Sequence, residues 1–573
     1  MLTALMPYIL GGYRVLWAVR TGNETDRPIE ELKVIVEKYG LDVKGLSFRG
    51  KRDMCLLARE MLSGPISHED ASVLCRTYRK TCKYYLTLIR REDTILDIFN
   101  DPMMYTEVLE KCSRLGVCPY FAQYVLLEEA DVVSLSYNYI FMESISWSIK
   151  RIVPFSDTIL VVDEAHNLQH LNLYSDKITL NTIVNAAREA QERGLANIVK
   201  VLKKLHTKVS GYKKLLKDEE DMLFDPSDFK DILTEPLLKK MRTYGQKIRE
   251  QQIKMKKRPH SSLYHLANFW LSVFETIGIE GFAYIATRDR DNIILELWDM
   301  RSREILGSVW RQFARVVLMS GTLAPIDAFA ETVGLEKYSG KIIASDYDPR
   351  RVLPIILKGV TTRGEELPEE MCLRYINLVK VLVDKLKVNT AVFTASYRIQ
   401  RELIKHGLIE ELKTLGAKVF VERKDMKGDE ARKILTKFKE LPSSGEYGVL
   451  IGPASGRFAE GADFPGRELE AVFLVGIPFD RVTARTKKYI EYYTQVYGEG
   501  KGRYYAYIIP ALRRASQALG RALRSREDRA VLIAGDERYL RYLNLLPDYF
   551  TNGVKVVKYP ELTEVLDKYS PVN

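Results

Sequence analysis

Short runs of β-branched and apolar residues recur along the chain, and each run is followed by a charged or small-residue turn. Longer segments with the 3.6-residue period of a helix separate most of these runs. This alternation is typical of parallel sheets flanked by helices. The predicted strands are Tyr13–Val19, Thr158–Val162, Ala314–Met319, Thr390–Phe393, Tyr447–Ile451, Ala471–Val475 and Arg529–Ala534. The pattern therefore predicts an α/β fold.

Two stretches break this pattern, and both are interpreted as insertions into the first sheet domain. Residues 46–119 hold five of the six cysteines and few strand signals, while residues 168–285 are rich in Lys and Glu and mostly helical by periodicity. A single core stops growing near ~250–300 residues, so 573 residues predict two large domains. The first sheet domain is assigned to residues 1–45, 120–167 and 286–338, and the second to residues 339–573.

Composition and charge narrow the class of protein. Hydrophobic residues make up 46% of the chain and charged residues 28%, and no run approaches the ~18 apolar residues of a membrane span. The first twenty residues lack a basic n-region and a cleavage site, so no signal peptide is predicted. The net charge of +11 suits a polyanion such as nucleic acid, although charge alone decides little. In a reducing interior, clustered cysteines are better interpreted as metal or cluster ligands than as disulfides.

The strongest local motif follows the predicted strand Thr158–Val162. Asp163 and Glu164 come directly after it, and His166 follows two residues later. Open α/β sheets bind their ligands at the carboxyl ends of strands. There an Asp would hold Mg²⁺ on nucleotide phosphates, and the neighbouring Glu would orient or deprotonate the attacking water. The alternative is that these acidic residues simply end the strand and solvate it.

A second motif lies far along the chain, at Gln517, Arg521 and Arg524. On one helix these spacings of four and three place the three side chains on one face. Two guanidinium groups there would suit the spreading negative charge of a phosphoryl-transfer transition state. Further arginines flank the motif, so a solvated basic helix face is the alternative.

Three more segments complete a set that resembles the motifs of superfamily 2 helicases. They are Ser320-Gly321-Thr322-Leu323, Phe393-Thr394-Ala395-Ser396, and the segment from Gly456 to Phe464 that contains Gly461 and Asp463. Residues 163–166, called the acidic box below, the SGTL segment, the EGxDF-like segment and QxxGRxxR look like motifs II, III, V and VI. The resemblance implies two RecA-like motor domains that bind ATP, with nucleotide binding and coupling assigned to Ser320, Gly321, Thr322, Gly461 and Asp463.

Four cysteines in one inserted segment would bind zinc or an iron–sulfur cluster, and their spacing does not decide between these because no tight CxxC pair is present. Cys55 ends GKRDMC and Cys118 lies in GVCPYF; these segments resemble the first and last cluster cysteines of the XPD helicase family. Cys82-Lys-Tyr-Tyr resembles the third, and Cys75 is assigned second by order. The resemblance implies a [4Fe–4S] cluster. Cys112 is expected to be a buried free thiol and Cys372 a core residue of the second sheet domain.

Single-stranded nucleic acid is usually held by a basic groove with stacking aromatics. By resemblance, the helical insertion corresponds to the domain that is called the arch in this family. DNA contacts are assigned to the segments that resemble the family's motifs Ia and IV, and to residues near the cysteines. For each tyrosine a place in the core is the simpler alternative. The assigned residues are Arg20, Thr21, Lys51, Arg52, Tyr120, Tyr137, Tyr139, Ser396 and Tyr397.

The resemblance implies an ATP-dependent 5′-to-3′ DNA helicase with a role in DNA repair, using ATP, Mg²⁺ and the [4Fe–4S] cluster. Expected partners are single-stranded and forked DNA and repair proteins, for a monomer of archaeal type that works in the cytoplasm at the nucleoid, with no membrane association. The alternative of a different class is a non-catalytic single-stranded-DNA-binding relative that has lost its motor.

One element of the family pattern is missing. Motors of this family begin with a Gly-rich P-loop ending in Gly-Lys-Thr, whose N–H groups and lysine hold phosphates, and the 573 residues contain none. Residues 2–7 read like the helix that follows this loop. Either the start codon was placed too late, which we favour because the other motifs remain, or the gene is a truncated relative. As written, the chain is expected to hydrolyse ATP poorly; normal DNA-stimulated turnover would contradict this. An in-frame Gly-x-Gly-Lys-Thr upstream of Met1 would decide between the two.

Overall fold

The structure is a computed structural model that describes residues 1–364, 366–460 and 463–568. It divides into two compact units. The first comprises Met1–Ser320, Phe329–Tyr338 and Thr483–Lys488, and the second comprises Gly321–Ala328, Ser339–Val482 and Tyr489–Asn573. Each unit contains a parallel sheet, which confirms the predicted α/β class.

All seven predicted strands are present, with ends that shift by a residue or two. The strands are β1 (Arg14–Val19), β2 (Gly45–Ser47), β3 (Val132–Ser136), β4 (Thr158–Val162), β5 (Asp176–Thr179), β6 (Asp221–Leu223), β7 (Phe282–Asp289), β8 (Asn292–Asp299), β9 (Arg315–Leu318), β10 (Val352–Lys358), β11 (Thr390–Thr394), β12 (Lys418–Val421), β13 (Gly448–Pro453), β14 (Ala471–Val475), β15 (Ala530–Gly535) and β16 (Lys555–Lys558).

Helices separate most of these strands, as the periodicity predicts. Those before the acidic box are α1 (Leu2–Leu10), α2 (Asp26–Tyr39), α3 (Lys51–Met54), α4 (Leu56–Met61), α5 (His68–Tyr78), α6 (Lys83–Arg90), α7 (Glu92–Leu96), α8 (Tyr105–Leu115), α9 (Pro119–Glu129), α10 (Asn138–Phe141) and α11 (Glu143–Lys150). The next are α12 (Leu180–Gln191), α13 (Ala196–Ser210), α14 (Glu235–Lys254), α15 (Ser262–Glu275), α16 (Ser302–Trp310) and α17 (Ile326–Thr332).

The remaining helices are α18 (Glu369–Leu386), α19 (Tyr397–Lys405), α20 (Leu408–Thr414), α21 (Gly428–Glu440), α22 (Arg457–Glu460), α23 (Ala484–Tyr497), α24 (Glu499–Arg503), α25 (Ile509–Leu519), α26 (Asp548–Thr551) and α27 (Leu562–Asp567). A π-helical turn, Tyr504–Ile508, leads into α25. Within the described part of the chain, every helix is too short or too polar to cross a membrane.

The main sheet of the first unit has five parallel strands in the order β2-β3-β1-β4-β9. All five residues of β4 and all but the first of β1 are buried. Strands covered on both faces read as continuous apolar runs, which is why the sequence identified them. The cysteine-rich insertion connects β2 to β3, and the Lys/Glu-rich insertion follows β4.

The Lys/Glu-rich insertion is largely helical, as predicted, but it also contains an antiparallel sheet that was not predicted. Its strands lie in the order β5-β8-β7-β6, and helices α12 to α15 share a hydrophobic core with them. The predicted end of this insertion, at residue 285, falls within β7. The turn between β7 and β8 contains Arg290 in the left-handed region, with φ of 55°. Strand β8 contains the apolar run Ile293-Ile294-Leu295, and alternate residues along it, Ile293, Leu295 and Leu297, are buried.

The sheet of the second unit has seven parallel strands in the order β12-β13-β11-β14-β15-β10-β16. Separate hydrophobic cores cover its two faces. Cys372 on α18 is fully buried in one of them, which confirms its prediction as a core residue. Strand β11 lies between β13 and β14 and ends two residues before Ser396, a predicted DNA residue.

Candidate functional site

The backbone of the acidic box is fixed by neighbouring strands. The N–H of Asp163 donates to the carbonyl of Ala18 at 2.9 Å, and the hydroxyl of Tyr137 donates to the carbonyl of Asp163. The N–H of Glu164 donates to the Asp163 carboxylate at 2.8 Å. Glu164 has φ of 47°, a left-handed conformation that is costly for a residue with a Cβ and is typical of functional sites. The two carboxylates therefore have a defined position at the end of β4.

The Glu164 carboxylate is held by two side chains. The hydroxyl of Ser320, just after β9, donates to Glu164 Oε2 at 3.1 Å. His166 Nδ1 lies 3.1 Å from the same oxygen and 2.7 Å from Ser320 Oγ. Both contacts fall on one oxygen, so they hold Oε2 in place. The structure thus brings together the acidic box and the first residue of SGTL.

Burial raises the pKa of Asp163, and the nearby charge of Glu164 acts in the same direction. The N–H of Glu164 opposes this shift by donating to the carboxylate. The half-buried Asp163 carboxylate and the exposed Glu164 carboxylate next to it favour a cation beside them. The end of β4 therefore suits a divalent cation.

In the second unit, the prediction that one helix carries Gln517, Arg521 and Arg524 is wrong. Helix α25 ends at Leu519, Arg521 lies in a 3₁₀ turn, and Arg524 lies beyond both. The carboxylate of Asp528 accepts hydrogen bonds from the N–H groups of Arg524, at 2.5 Å, and Ser525, at 2.7 Å. These bonds satisfy backbone donors that a continuing helix would use, so they stabilise the turn instead.

Side-chain contacts nevertheless connect the predicted motifs within this unit. Gln517 Nε2 donates to Thr322 Oγ1 at 3.4 Å, and Thr322 directly follows Gly321. Arg524 Nε lies 2.5 Å from the carboxylate of Asp463. The predicted residue Gly461 lies outside the described residues.

Sequence reasoning missed Arg513, which lies on α25 one turn before Gln517. Its guanidinium donates to the carbonyl of Leu323 at 2.9 Å, and burial lowers the pKa of Arg513 to about 10. Arg513 and Gln517 together hold the segment Thr322-Leu323. The i, i+4 spacing of the two residues on a helix is the sequence signal that would have found it.

A cavity of about 1070 Å³ in the first unit brings six of the predicted DNA residues together. They are Arg20, Thr21, Lys51, Arg52, Tyr120 and Tyr139. The ammonium of Lys51 lies 5.0 Å from the centre of the Tyr120 ring, and the Tyr139 ring packs edge-on against Phe48. Cationic and aromatic side chains therefore line one concave surface.

Three predicted DNA residues lie elsewhere. Tyr137 is buried and bonded to the Asp163 backbone, so it supports the acidic box. Ser396 and Tyr397 belong to the second unit: the Ser396 hydroxyl accepts from the N–H of Ile399 and caps α19, and the Tyr397 hydroxyl donates to the Glu422 carboxylate at 2.7 Å. Sequence reasoning also missed Trp147, an exposed side chain that lines the cavity.

The four predicted cysteines are neighbours. Burial raises the pKa of Cys118 to about 12, and the nearby Cys55, Cys82 and Cys75 add to the rise. Burial alone raises the pKa of Cys112 to about 12, so Cys112 stands apart from the other four, and its prediction as a buried thiol is confirmed. Among the described residues, no three His, Cys, Asp or Glu side chains are arranged to hold one metal ion.

Two family models match separate parts of the chain. One, described as DEAD_2, matches residues 17–183, and one described as helicase C-terminal domain matches residues 379–553. The XPD/RAD3 helicase subunit of general transcription and DNA repair factor IIH from Saccharomyces cerevisiae is 22% identical, over 94% of this chain and 82% of the yeast protein. The ATP-dependent DNA helicase XPD of Sulfolobus acidocaldarius is 23% identical, over 92% of this chain and 88% of that protein.

The chain belongs to the XPD-type helicases of superfamily 2.

Solved XPD structures share the fold. One XPD helicase structure superposes with a TM-score of 0.68 at 20% identity and covers 95% of this chain and 91% of that one. The structure of S. tokodaii Xpd4 gives a TM-score of 0.55 at 17% identity, over 97% of this chain and 98% of that chain. In this XPD-type chain the two parallel sheets therefore belong to two RecA-like domains, the fold that the resemblance implied.

Proposed function

We propose that this XPD-type chain is the motor of an ATP-dependent DNA helicase that moves 5′ to 3′ on single-stranded DNA and opens duplexes in DNA repair. The observation that carries the proposal is the Glu164 carboxylate, fixed by Ser320 and His166 beside Asp163 at the end of β4. The names of relatives, among them the ATP-dependent DNA helicase XPD of Sulfolobus acidocaldarius, support the assignment to ATP and DNA.

In hydrolysis, Asp163 would hold Mg²⁺, and the ion would neutralise phosphate charge. Glu164 would orient the attacking water and take its proton, because its Oε2 atom is held in place. Arg521 and Arg524 would stabilise the negative charge that spreads over the transferring phosphoryl group. Gln517 and Thr322, which bond to each other, would sense the nucleotide.

For DNA, we propose that the cavity of the first unit holds the strand. Lys51 and Arg52 supply charge for the phosphates, and Tyr120 supplies an aromatic face on which a base stacks. A wall that combines cations and rings binds any sequence, because every base has a π-face and every nucleotide a phosphate. A surface that accepts every base, with at most a modest preference from stacking strength, is what a translocating motor requires.

For the cofactor, we propose that Cys55, Cys75, Cys82 and Cys118 hold a [4Fe–4S] cluster. The four thiols are near enough to raise one another's pKa. The resemblance of their segments to the cluster cysteines of the XPD family favours a cluster over a single zinc ion. Iron–sulfur protein is brown and absorbs near ~400 nm, whereas zinc-bound protein is colourless.

The proposal is tested by strand separation with ATP and Mg²⁺ on forks that carry either a 5′ or a 3′ tail. The chain is assayed in its 573-residue form and also in an extended form, to which the P-loop-containing N-terminal segment of an XPD-type relative is joined before Met1. We expect the extended form to open 5′-tailed forks. If both forms bind the forks and neither opens them, the non-catalytic DNA-binding alternative replaces the helicase. Opening of 3′-tailed forks would overturn the proposed polarity.

A further inference from the structure

Trp147 on α11 differs from the other tryptophans of the chain. The chain has five, and the other four are at most 7% exposed, whereas Trp147 is 57% exposed. Its indole N–H donates to the carbonyl of Ser144 at 3.1 Å, so the polar end of the ring is satisfied within its own helix. The exposed part of the side chain is therefore an apolar face in water. Large exposed aromatic surfaces commonly mark binding sites.

The neighbours of Trp147 connect it to the cavity of the first unit. One turn along, the Arg151 guanidinium lies 5.5 Å from the indole ring centre, and both side chains line the cavity. Between them in sequence, the Ser148 hydroxyl lies 3.3 Å from the hydroxyl of Tyr124, which lies 2.9 Å from the hydroxyl of Tyr120. Helix α11 is thus fixed against the aromatic wall, and Trp147 has a defined place beside it.

The charge of the cavity indicates the kind of ligand. Only one carboxylate lies among the lining residues, that of Asp53, and it is paired with Arg52 at 3.0 Å. The cationic lining residues are Arg20, Arg49, Lys51, Arg52, Arg79 and Arg151. Arg49 is already paired with Asp26. The remaining excess of positive charge beside a flat apolar ring suits a ligand that joins an anion to an aromatic plane, which is the chemistry of a nucleotide.

We infer that Trp147 stacks on an unpaired base of single-stranded DNA at the mouth of this cavity, and that Arg151 binds the phosphate of that nucleotide. The inference rests on the proposed function and adds a base-binding position to it. The indole offers a larger plane than a tyrosine ring, so purines, with their larger overlap, bind there more tightly than pyrimidines. Trp147 would then hold one base while Tyr120 and Lys51 contact the next part of the strand.

The first test distinguishes binding of the DNA bases from binding of the DNA phosphates. Binding of the unsubstituted chain to oligo(dA) is compared with its binding to an abasic oligomer of the same length, which keeps the phosphates and lacks the bases. Trp147→Ala is expected to weaken oligo(dA) binding at least about fivefold, since stacking on an aromatic side chain is worth roughly that much or more. The same variant is expected to leave binding of the abasic oligomer unchanged. Trp147→Phe, which keeps a ring, is expected to lose much less.

Tyr39→Ala is the matched control, because Tyr39 is also an exposed aromatic residue, at 62%, and does not line the cavity. It is expected to bind both oligomers like the unsubstituted chain. A second readout uses fluorescence, because Trp147 is the exposed tryptophan of the chain. Oligo(dA) is expected to quench tryptophan emission in the unsubstituted chain and not in Trp147→Phe.

The outcomes distinguish this inference from the function on which it rests. If the unsubstituted chain binds oligo(dA) and Trp147→Ala binds it equally well, the stacking position is wrong and the DNA-binding function stands. An equal loss on both oligomers would also overturn the inference, because it would mean that Trp147 shapes the surface and contacts no base. If the unsubstituted chain binds neither oligomer, both the proposed function and the inference fail.

Discussion

The acidic end of β4 and the wall of the cavity lie in the same unit but are built differently. At β4, backbone hydrogen bonds to β1 and a buried parallel sheet fix Asp163 and Glu164. The cavity wall is built largely from the helices α3, α9 and α11, which side-chain contacts join, together with residues at or just after the ends of β1, β2 and β3. Backbone-built sites hold geometry to the precision that chemistry needs, whereas side-chain-built surfaces adapt to a strand of varying sequence. The difference indicates which substitutions act on the chemistry and which act on DNA affinity.

One buried side chain shows how the cavity wall is held. Gln123 on α9 accepts a hydrogen bond from the N–H of Arg49 at 2.8 Å and donates to the carbonyl of Arg49 at 3.1 Å. It is fully buried, and it fixes the residues that precede Lys51 and Arg52. The position of the cationic wall therefore depends on one amide that no neighbouring strand can replace.

The largest expected effect concerns the cysteines. Cys118→Ser is expected to abolish absorption near ~400 nm and to lower the unfolding midpoint sharply, since bound metal centres contribute ~10 kcal/mol or more to folding. Cys112→Ser is the matched control, because Cys112 is equally buried and stands apart from the other four. It is expected to keep the absorption. Loss of colour in both variants, or in neither, would contradict the ligand set.

The next largest effect is expected from a substitution that disrupts only the site at the end of β4. Glu164→Gln is expected to lower DNA-stimulated ATP hydrolysis by the extended form at least about a hundredfold, as loss of a positioned general base does. Affinity for single-stranded DNA is expected to stay within twofold, because the carboxylate lies at the strand end and not in the cavity lining. Ser320→Ala, which removes one hydrogen bond to Glu164, is expected to cost roughly tenfold or less. A Glu164→Gln rate equal to that of the unsubstituted protein would remove Glu164 from the chemistry.

A smaller effect is expected from a substitution that disrupts the cavity wall and leaves the site at the end of β4 intact. Gln123→Leu leaves the buried N–H and carbonyl of Arg49 without their partner, so the free energy of unfolding is expected to fall by about 1–3 kcal/mol. DNA affinity is expected to fall with it, because Lys51 and Arg52 lie two and three residues after Arg49. Gln191→Leu, at an exposed position on α12, is the control and is expected to change unfolding by less than ~0.5 kcal/mol. Denaturant titration with DNA binding would show whether the two losses occur together.

The smallest expected effect tests whether Lys51 contacts a phosphate of the DNA. Lys51→Ala is expected to weaken single-stranded DNA binding several-fold and to lower the slope of log K against log salt by about 0.7, the value for one phosphate contact. Lys437→Ala, on the exposed face of α21, is expected to change neither. An unchanged salt slope for Lys51→Ala would mean that Lys51 serves its contact with the Tyr120 ring and not a phosphate.

Residues adjacent in sequence were predictable, and residues that meet only through the fold were not. Asp163, Glu164 and His166 follow one buried strand within four positions, so the pattern located them. Gln123 and Arg49 lie 74 positions apart, and Arg513 and Leu323 lie 190 apart, so no local pattern reports their contact. The wrong helix at Arg524 has the same origin, because Asp528, which ends it, lies downstream of the motif that suggested the helix.

The strands show the same limit. Strands buried on both faces were found from their apolar runs. Strands β7 and β8 also contain apolar runs, but they were missed because the Lys/Glu-rich region before them was interpreted as helical from its periodicity. Trp147 was missed for a different reason. Exposure of a tryptophan is decided by what the fold leaves uncovered, and sequence carries no direct sign of it.

The central claim is that single-stranded DNA bound in the cavity stimulates ATP hydrolysis at the end of β4. The most direct measurement is ATP hydrolysis by the extended form over a range of single-stranded DNA concentrations, for the unsubstituted protein and for the double variant Lys51→Ala, Arg52→Ala. We predict that DNA stimulates hydrolysis, that the variant needs several-fold more DNA for half-maximal stimulation, and that the two share one rate without DNA. Hydrolysis that is indifferent to DNA, or identical DNA dependence in both proteins, would contradict the account.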